Sequence, residues 1–228
     1  MANNVKNSNI VVGLDIGTSK VVCIVGKYNE NQKLEIISLG AYPSSGLKKG
    51  VVVNIDATTD AIKKAVEQAQ SMIEEKIKSV YVGIAGSHIK SLNSQGAVGI
   101  KDKEVTPYDI DRVIDSAQAV SIPSDQNVLH VLPQEYVIDN QEVSLDPLGM
   151  AGVRLEAKVH LVTCANSAVK NIEKCIKNCG LLVDGFVLEQ LASSHSILSE
   201  DEKDLGVCLV DIGGGTTDIA IFNSGSIV

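Results

Sequence analysis

The sequence has no CxxC pair, no apolar run long enough to span a bilayer and no excess of positive charge. Each absence excludes a class. Cys23, Cys164, Cys175, Cys179 and Cys208 fall mostly inside apolar strand-like or helix-like stretches and read as reduced core residues, not as a disulfide framework. Cys175 and Cys179 stand one helical turn apart, but no nearby Cys or His completes a four-ligand metal set, so a buried helix face is the plainer reading of the pair. A net charge of -8 and a pI near 5.0 argue against a nucleic-acid surface, which needs a clustered basic face. Residues 1–9 are polar and lack the apolar stretch of a signal peptide, so the expected compartment is the cytosol. With 44% hydrophobic residues and no long polar tract, the 228 residues make a globular chain with one large core or two small ones.

What the sequence does have is one device written twice. Val12-Gly13-Leu14-Asp15-Ile16-Gly17-Thr18-Ser19-Lys20-Val21-Val22 stands near the start and Leu209-Val210-Asp211-Ile212-Gly213-Gly214-Gly215-Thr216-Thr217-Asp218-Ile219-Ala220-Ile221 near the end. Each is a β-branched apolar strand ending in an aspartate, then a glycine and hydroxyl turn, then a second apolar strand. Glycines leave backbone N–H groups open to an anion, and Thr18, Ser19, Thr216 and Thr217 add hydroxyl donors, so such a turn can hold phosphate. Asp15 and Asp211 are the candidate partners of the Mg²⁺ that accompanies a polyphosphate, since that ion prefers oxygen ligands and keeps several waters. The competing reading is an ordinary hairpin whose Gly and Thr serve turn geometry alone. Three successive glycines at 213–215 cost backbone entropy that a plain turn does not require. Lys20 reads equally as a phosphate ligand or a solvated strand-edge lysine, and Asp218 equally as a site residue or a pin for the hairpin.

Between the two copies the pattern predicts an α/β layer with an insertion. Ile10–Ile16, Lys20–Gly26 and Leu34–Leu39 read as strands. A helix follows, capped by Asp56 or Thr58, with Ile62, Ala65, Val66, Ala69, Met72 and Ile73 on one face; Val80–Ala85 is a buried strand after it. From Gly86 to Thr163 the elements form their own set: a helix begun by Thr106-Pro107 with Ile110, Val113, Ile114 and Ala117 inward, and strands at Val128–Leu132, Glu135–Ile138 and Val153–Val162. In the last of these, Val153, Leu155, Ala157, Val159 and Leu161 share a face, and Arg154, Glu156 and Lys158 share the other, either as a solvated face or as a partner surface. The spacing of His88, His130, His160 and His195 supports neither catalysis nor metal binding; His130 and His160 read as surface or cross-strand pairing positions. A helix from Ser167 to Cys179 stopped by Gly180, a strand Leu181–Leu188, a helix Glu189–Leu198 and an acidic linker Ser199–Asp204 lead into the second copy. The chain closes at Val228 within the strands of that copy, and a fragment of a longer protein is the expectation.

Two D-x-G turns rich in Gly and Thr, the second preceded by a helix beginning Glu189-Gln190-Leu191-Ala192-Ser193-Ser194, resemble the nucleotide-binding superfamily of actin, Hsp70 chaperones and sugar kinases. Three further stretches, Pro43-Ser44-Ser45-Gly46-Leu47-Lys48-Lys49-Gly50, Val128-Leu129-His130-Val131-Leu132-Pro133-Gln134-Glu135-Tyr136 and Gly152-Val153-Arg154-Leu155-Glu156-Ala157-Lys158-Val159-His160, are similar to the FtsA family of bacterial cell-division proteins, over its amino-terminal half. The resemblance implies an actin-like (ribonuclease H-like) α/β ATPase fold. Residues 1–85 and 164–203 would form subdomain 1A, residues 86–163 an inserted α+β subdomain 1C, and residues 204–228 the start of subdomain 2A. It implies ATP and Mg²⁺ as cofactors, with Asp15, Gly17, Thr18, Ser19 and Lys20 in the first phosphate loop, Asp211, Gly213, Gly214, Gly215, Thr216 and Thr217 in the second, and Glu189 beside the metal-bound water.

The implied partners are the tubulin-like division ring protein FtsZ, further copies of the protein in a polymer, later division proteins through residues 86–163, and the cytoplasmic face of the membrane through a carboxyl-terminal amphipathic helix outside this sequence. The implied role is an ATP-dependent polymerising adaptor, at most a weak ATPase, and residues 1–228 alone are expected to bind ATP weakly or not at all. An actin-like platform of a pilus or secretion machine shares the turns but is expected to lack the stretch from Val128 to Tyr136. A small-molecule kinase needs substrate-contacting residues in a cleft, and the insert offers no evident pocket for a sugar or an acid.

Overall fold

The structure is a computed structural model that describes residues 10–143 and 146–228, so the polar stretch at 1–9 lies outside the described residues. In chain order the elements are β1 (Ile10–Ile16), β2 (Lys20–Tyr28), β3 (Leu34–Pro43), β4 (Leu47–Lys48), β5 (Val51–Val52), α1 (Ile55–Gln70), β6 (Ser79–Ile84), β7 (Ile89–Gly99), α2 (Pro107–Gln118), β8 (Gln126–Ile138), β9 (Gln141–Val143), β10 (Arg154–Ala165), α3 (Asn166–Asn178), β11 (Leu182–Leu188), α4 (Glu189–Ile197), α5 (Glu200–Leu205), β12 (Val207–Ile212), β13 (Thr217–Asn223) and β14 (Ser226–Ile227). They divide into two compact units: one runs up to Ser87 and adds Ser167–Glu189 and Ile212–Asp218, and the other comprises His88–Asn166, Gln190–Asp211 and Ile219–Val228.

The first unit is built on a five-stranded sheet of order β11-β6-β1-β2-β3. β1, β2 and β3 form an antiparallel meander, while β6 runs parallel to both β1 and β11, the arrangement a crossover helix requires. Alternation along β1 and β2 turns Val12, Leu14, Ile16, Val21, Cys23 and Val25 inward, all buried. α1 covers β2 and β3 with Ala61, Ile62, Ala65 and Ala69. Its approach is close enough that Gly40 must be bare: a Cβ there would collide with the Ala65 carbonyl and lie 2.6 Å from the Ala69 nitrogen. The helix cap is Asn54, whose side chain accepts the Ala57 N–H, not Asp56 or Thr58. Thr58 is spent otherwise, buried with its hydroxyl donating 2.9 Å to the Asn54 carbonyl. α1 ends at Gln70, so the expected Met72 and Ile73 fall beyond it, and Met72 is exposed.

α3 docks beside the first turns of α1, with the thiols of Cys175 and Cys179 donating to the carbonyls of Ile55 and Thr59 at 3.7 and 3.4 Å. These thiols are packing groups. Burial pushes Cys23 and Cys179 up to about 11, which keeps both protonated. Gly180, at φ 75°, stops the helix as expected.

The second unit carries a four-stranded sheet of order β7-β10-β8-β9 with α2 on one face. Thr106 caps α2 in a capping box with Asp109, and Val113 and Ala117 meet Leu155, Ala157, Val159 and Leu161 of β10. Gly96 of β7 is bare for the same reason as Gly40, since a Cβ would strike the Val113 carbonyl and the Ala117 nitrogen. The strands expected at Val128–Leu132 and Glu135–Ile138 are one strand, β8, carried through Pro133 by a register shift against β10. β7 is an element the sequence reading passed over. Val153 precedes β10 and is exposed, whereas the other four residues of its expected face are buried. On the opposite face Arg154 pairs with Glu156 at 3.1 Å and Lys158 with Glu135 at 3.0 Å. His160 is buried and bonded to Asn93, its cross-strand neighbour, at 2.6 Å, so of the two readings pairing is the observed one.

β12, β13 and β14 form a three-stranded sheet. Leu209, Ala220, Phe222 and Ile227 cluster on one face with Leu132, Leu191, Leu198 and Val207, and Val210, Ile219 and Ile221 are exposed. Cys208 is exposed as well, which corrects the reading of every cysteine as core. The acidic stretch after α4 is a short helix, α5, not a linker: Ser199 and Glu202 close a capping box, and three acidic residues occupy the first turn, where the helix dipole favours them.

Replacing Gly40 with alanine is expected to destabilise the chain by about 1–3 kcal/mol or more, because the backbone of α1 has to move. Gly13→Ala is the matched control: nothing lies within 4 Å of a Cβ there, and a change within about 0.5 kcal/mol is expected. Urea denaturation of both variants checks the contrast.

Candidate functional site

The two glycine turns close in the same way. Gly17 donates its N–H to the Lys20 carbonyl at 3.0 Å, and Gly213 donates its N–H to the Thr216 carbonyl at 2.9 Å. In each case the donor stands two residues after the aspartate and the acceptor three residues further on. The turn residues between them, Thr18-Ser19 and Gly214-Gly215, are brought into mutual contact. A Cβ on Gly214 would sit 2.8 Å from Ser19 Cβ, and one on Gly215 would sit 2.9 Å from Thr18 Cγ2. The crossing is reciprocal, with the first residue of each turn facing the second of the other. This contact explains the glycine run at 213–215: two of its three members need to be bare for the turns to touch.

Beside this contact lies a cavity of about 40 Å³ lined by Ile16, Gly17, Thr18, Leu47, Gly50, Gly83, Ile84, Ala85, Ile172, Glu189 and Thr216. It joins both turns to Glu189, the first residue of α4. Gly83 of β6 makes room for that carboxylate, since a Cβ there would lie 3.0 Å from Glu189 Cγ and 3.3 Å from its Oε1. Its lining includes one threonine from each turn, Thr18 and Thr216, and the carboxylate residue Glu189. The threonine hydroxyls can donate to a phosphate group, and the carboxylate can accept from an ordered water.

The remaining candidates stand around it. Asp15 is exposed on β1 opposite Val22, and Ser19 accepts the Ser44 N–H at its carbonyl, 3.0 Å away. Lys20 begins β2 opposite Pro43, exposed. Asp211 is half-buried near the end of β12, Thr217 is exposed at the start of β13, and Asp218 follows it, half-buried. Asp15, Ser19, Lys20, Asp211, Gly213, Gly214, Gly215 and Thr217 are not among the residues lining the cavity. Among the described residues no group of three or more His, Cys, Asp or Glu side chains gathers to hold a metal. Mg²⁺ binding by one or two carboxylates and retained waters needs no such group.

The sequence reading missed Leu47, Gly50, Gly83, Ile84, Ala85 and Ile172. Gly83 had a legible signal, because an isolated glycine inside a strand marks a close approach, here that of Glu189.

The fold and the paired turns define a class: the actin-like ATPase fold, α/β, with a small α+β domain inserted. Residues 86–163 match the SHS2 domain inserted in FtsA. The cell division protein FtsA of Pseudomonas aeruginosa is 62% identical over 224 residues, 98% of this chain and 54% of that protein. FtsA of Neisseria meningitidis is 54% identical over 214 residues, 94% of this chain and 52% of that protein. The likeness to FtsA thus runs over nearly the whole chain, and the chain spans about half the length of the curated relatives it matches. Among solved structures, a PilM-PilN type IV pilus biogenesis complex matches with a TM-score of 0.68 at 16% identity, over 96% of this chain and 59% of that one; this likeness is one of fold.

Gly215→Ala is expected to destabilise by about 1–3 kcal/mol through the Thr18 methyl, and Thr18→Ser in the same chain to recover part of that loss. Thermal denaturation of the two single variants and the double variant measures the coupling.

Proposed function

We propose that this chain is the nucleotide-phosphate half of an actin-like cell-division protein that binds ATP and links the tubulin-like ring protein FtsZ to the cytoplasmic membrane. The observation that carries the reading is the convergence of both glycine turns and Glu189 on one cavity, in a chain 62% identical to an FtsA. In this reading Thr18, Ser19, Lys20, Thr216, Thr217 and the backbone of Gly17 and Gly213–Gly215 hold the phosphates. Asp15 and Asp211 hold Mg²⁺ through its waters, and Glu189 orients a water toward the terminal phosphate. The ion, when bound, neutralises phosphate charge. In this reading the chemistry is slow hydrolysis at most, which suits a switch for assembly.

Residues 86–163 are proposed as the surface for later division proteins and for neighbouring copies in a polymer. Residues 204–228 are proposed as the start of a second actin-like subdomain, and a carboxyl-terminal amphipathic helix beyond this sequence as the attachment to the cytoplasmic face of the membrane. No helix among the described residues is long and apolar enough to cross a membrane. A pilus or secretion platform is the alternative within the fold, but the 16% identity to the PilM-PilN complex favours it far less than 62% favours FtsA.

The test sediments lipid vesicles with the complete protein and FtsZ, with and without Mg-ATP. Wild type is expected to carry FtsZ onto the vesicles with ATP, and Asp211→Ala to do so several-fold less. ATP binding without any recruitment of FtsZ to lipid would count against the adaptor reading and turn attention to the platform.

A further inference from the structure

The stretch Pro43–Gly50 does more than join β3 to α1. β4 and β5 pair as a minimal hairpin, Leu47 with Val52 and Lys48 with Val51, so that Lys49 and Gly50 form its two-residue turn. Both turn residues are left-handed, Lys49 at φ 52° and Gly50 at φ 74°. Gly50 suits that conformation, whereas a lysine does not, and Asn or Gly is the usual occupant of its position. Lysine in a strained turn points to a use for its side chain.

Its neighbours in the turn belong to the cavity. Leu47 and Gly50, the residues on either side of Lys48-Lys49, both line the cavity that holds Thr18, Thr216 and Glu189. The turn is pinned there: a Cβ on Gly50 would lie 2.9 Å from the Ala85 carbonyl oxygen and 3.2 Å from Gly86 Cα, at the end of β6, and Ala85 lines the same cavity. Leu47 lines the cavity, so strand alternation turns Lys48 to the other side of β4, while Lys49 is exposed at the tip of the turn, next to Gly50 of the lining.

We infer that Lys49 is a phosphate ligand, its ammonium closing over the outermost phosphate of a nucleoside triphosphate held by the two glycine turns. The inference rests on the phosphate reading of the cavity given above. An ammonium on a long, flexible stem at the rim adds a second positive charge to the one proposed for Lys20, and charge-assisted bonds to phosphate are the strong ones.

The experiment is calorimetry of the complete protein with Mg-ATP and with Mg-ADP, comparing wild type with Lys49→Asn, Lys49→Arg and Lys48→Asn. Asparagine fits the left-handed turn better than lysine, so Lys49→Asn keeps the fold, which its melting temperature verifies. Lys49→Asn is expected to weaken Mg-ATP at least tenfold and Mg-ADP by clearly less, Lys49→Arg to stay within about threefold of wild type, and Lys48→Asn to bind as wild type. Wild-type Mg-ATP affinity in Lys49→Asn overturns the role of Lys49 and leaves the phosphate reading standing. An equal loss of ATP and ADP together with a lowered melting temperature overturns it as well, since that is the mark of a structural residue. If wild type binds neither nucleotide, the phosphate reading fails and the role of Lys49 with it.

Discussion

Two backbone turns touching at their tips are the constraint on which the site depends. Gly214 and Gly215 press on Ser19 and Thr18 at distances that admit no side chain, and each turn is held in shape by one hydrogen bond of the same span. The first turn is rigid because β1 and β2 are paired in continuous register from Ile10 opposite Lys27 to Ile16 opposite Val21, with their inner residues in the core. That pairing fixes where Thr18 stands. The second turn is then positioned against it by contact, and Thr216 comes to line the same cavity as Thr18. Glu189 joins them because Gly83 withholds a side chain at one point of β6.

Elsewhere, too, close packing of backbone on a bare glycine sets the geometry. Gly40 receives α1 and Gly96 receives α2, each at a distance where a single methyl would collide with helix backbone. Gly50 seats the β4–β5 turn on the end of β6. The two helix contacts lie in different units and serve packing, while the contacts at Gly50, Gly83, Gly214 and Gly215 serve the cavity. Gly40, Gly83 and Gly96 stand inside strands, where glycine is costly, so each marks where two chain segments need to meet.

Much of this was legible in the sequence. Alternation along β1, β2 and β10 gave their inward faces, the Thr106-Pro107 pair gave the start of α2, and Gly180 gave the end of α3. The aspartate, glycine and hydroxyl order exposed the paired turns. Less legible was whatever depends on a partner far along the chain. Capping by Asn54 competes with Asp56 and Thr58, and only the burial of Thr58 removes that candidate. β7 is an edge strand whose residues are mostly exposed, so it carries little apolar period to read. Pro133 suggested a break between two strands, but a register shift against β10 absorbs it. Ser199 to Asp204 looked like a solvated linker because its helical character lies in its caps and charges, with Lys203 its buried residue. The contribution of Leu47 and Gly50 to the cavity depends on the fold of a hairpin too short to show a pattern.

Hydrogen exchange of the complete protein with and without Mg-ATP tests the central claim most directly, because it reads the backbone amides of both turns in one measurement. The account predicts that nucleotide slows exchange at residues 17–20 and at residues 213–217 together. Slowing at one turn alone, or at neither while nucleotide is bound, would contradict a shared phosphate site.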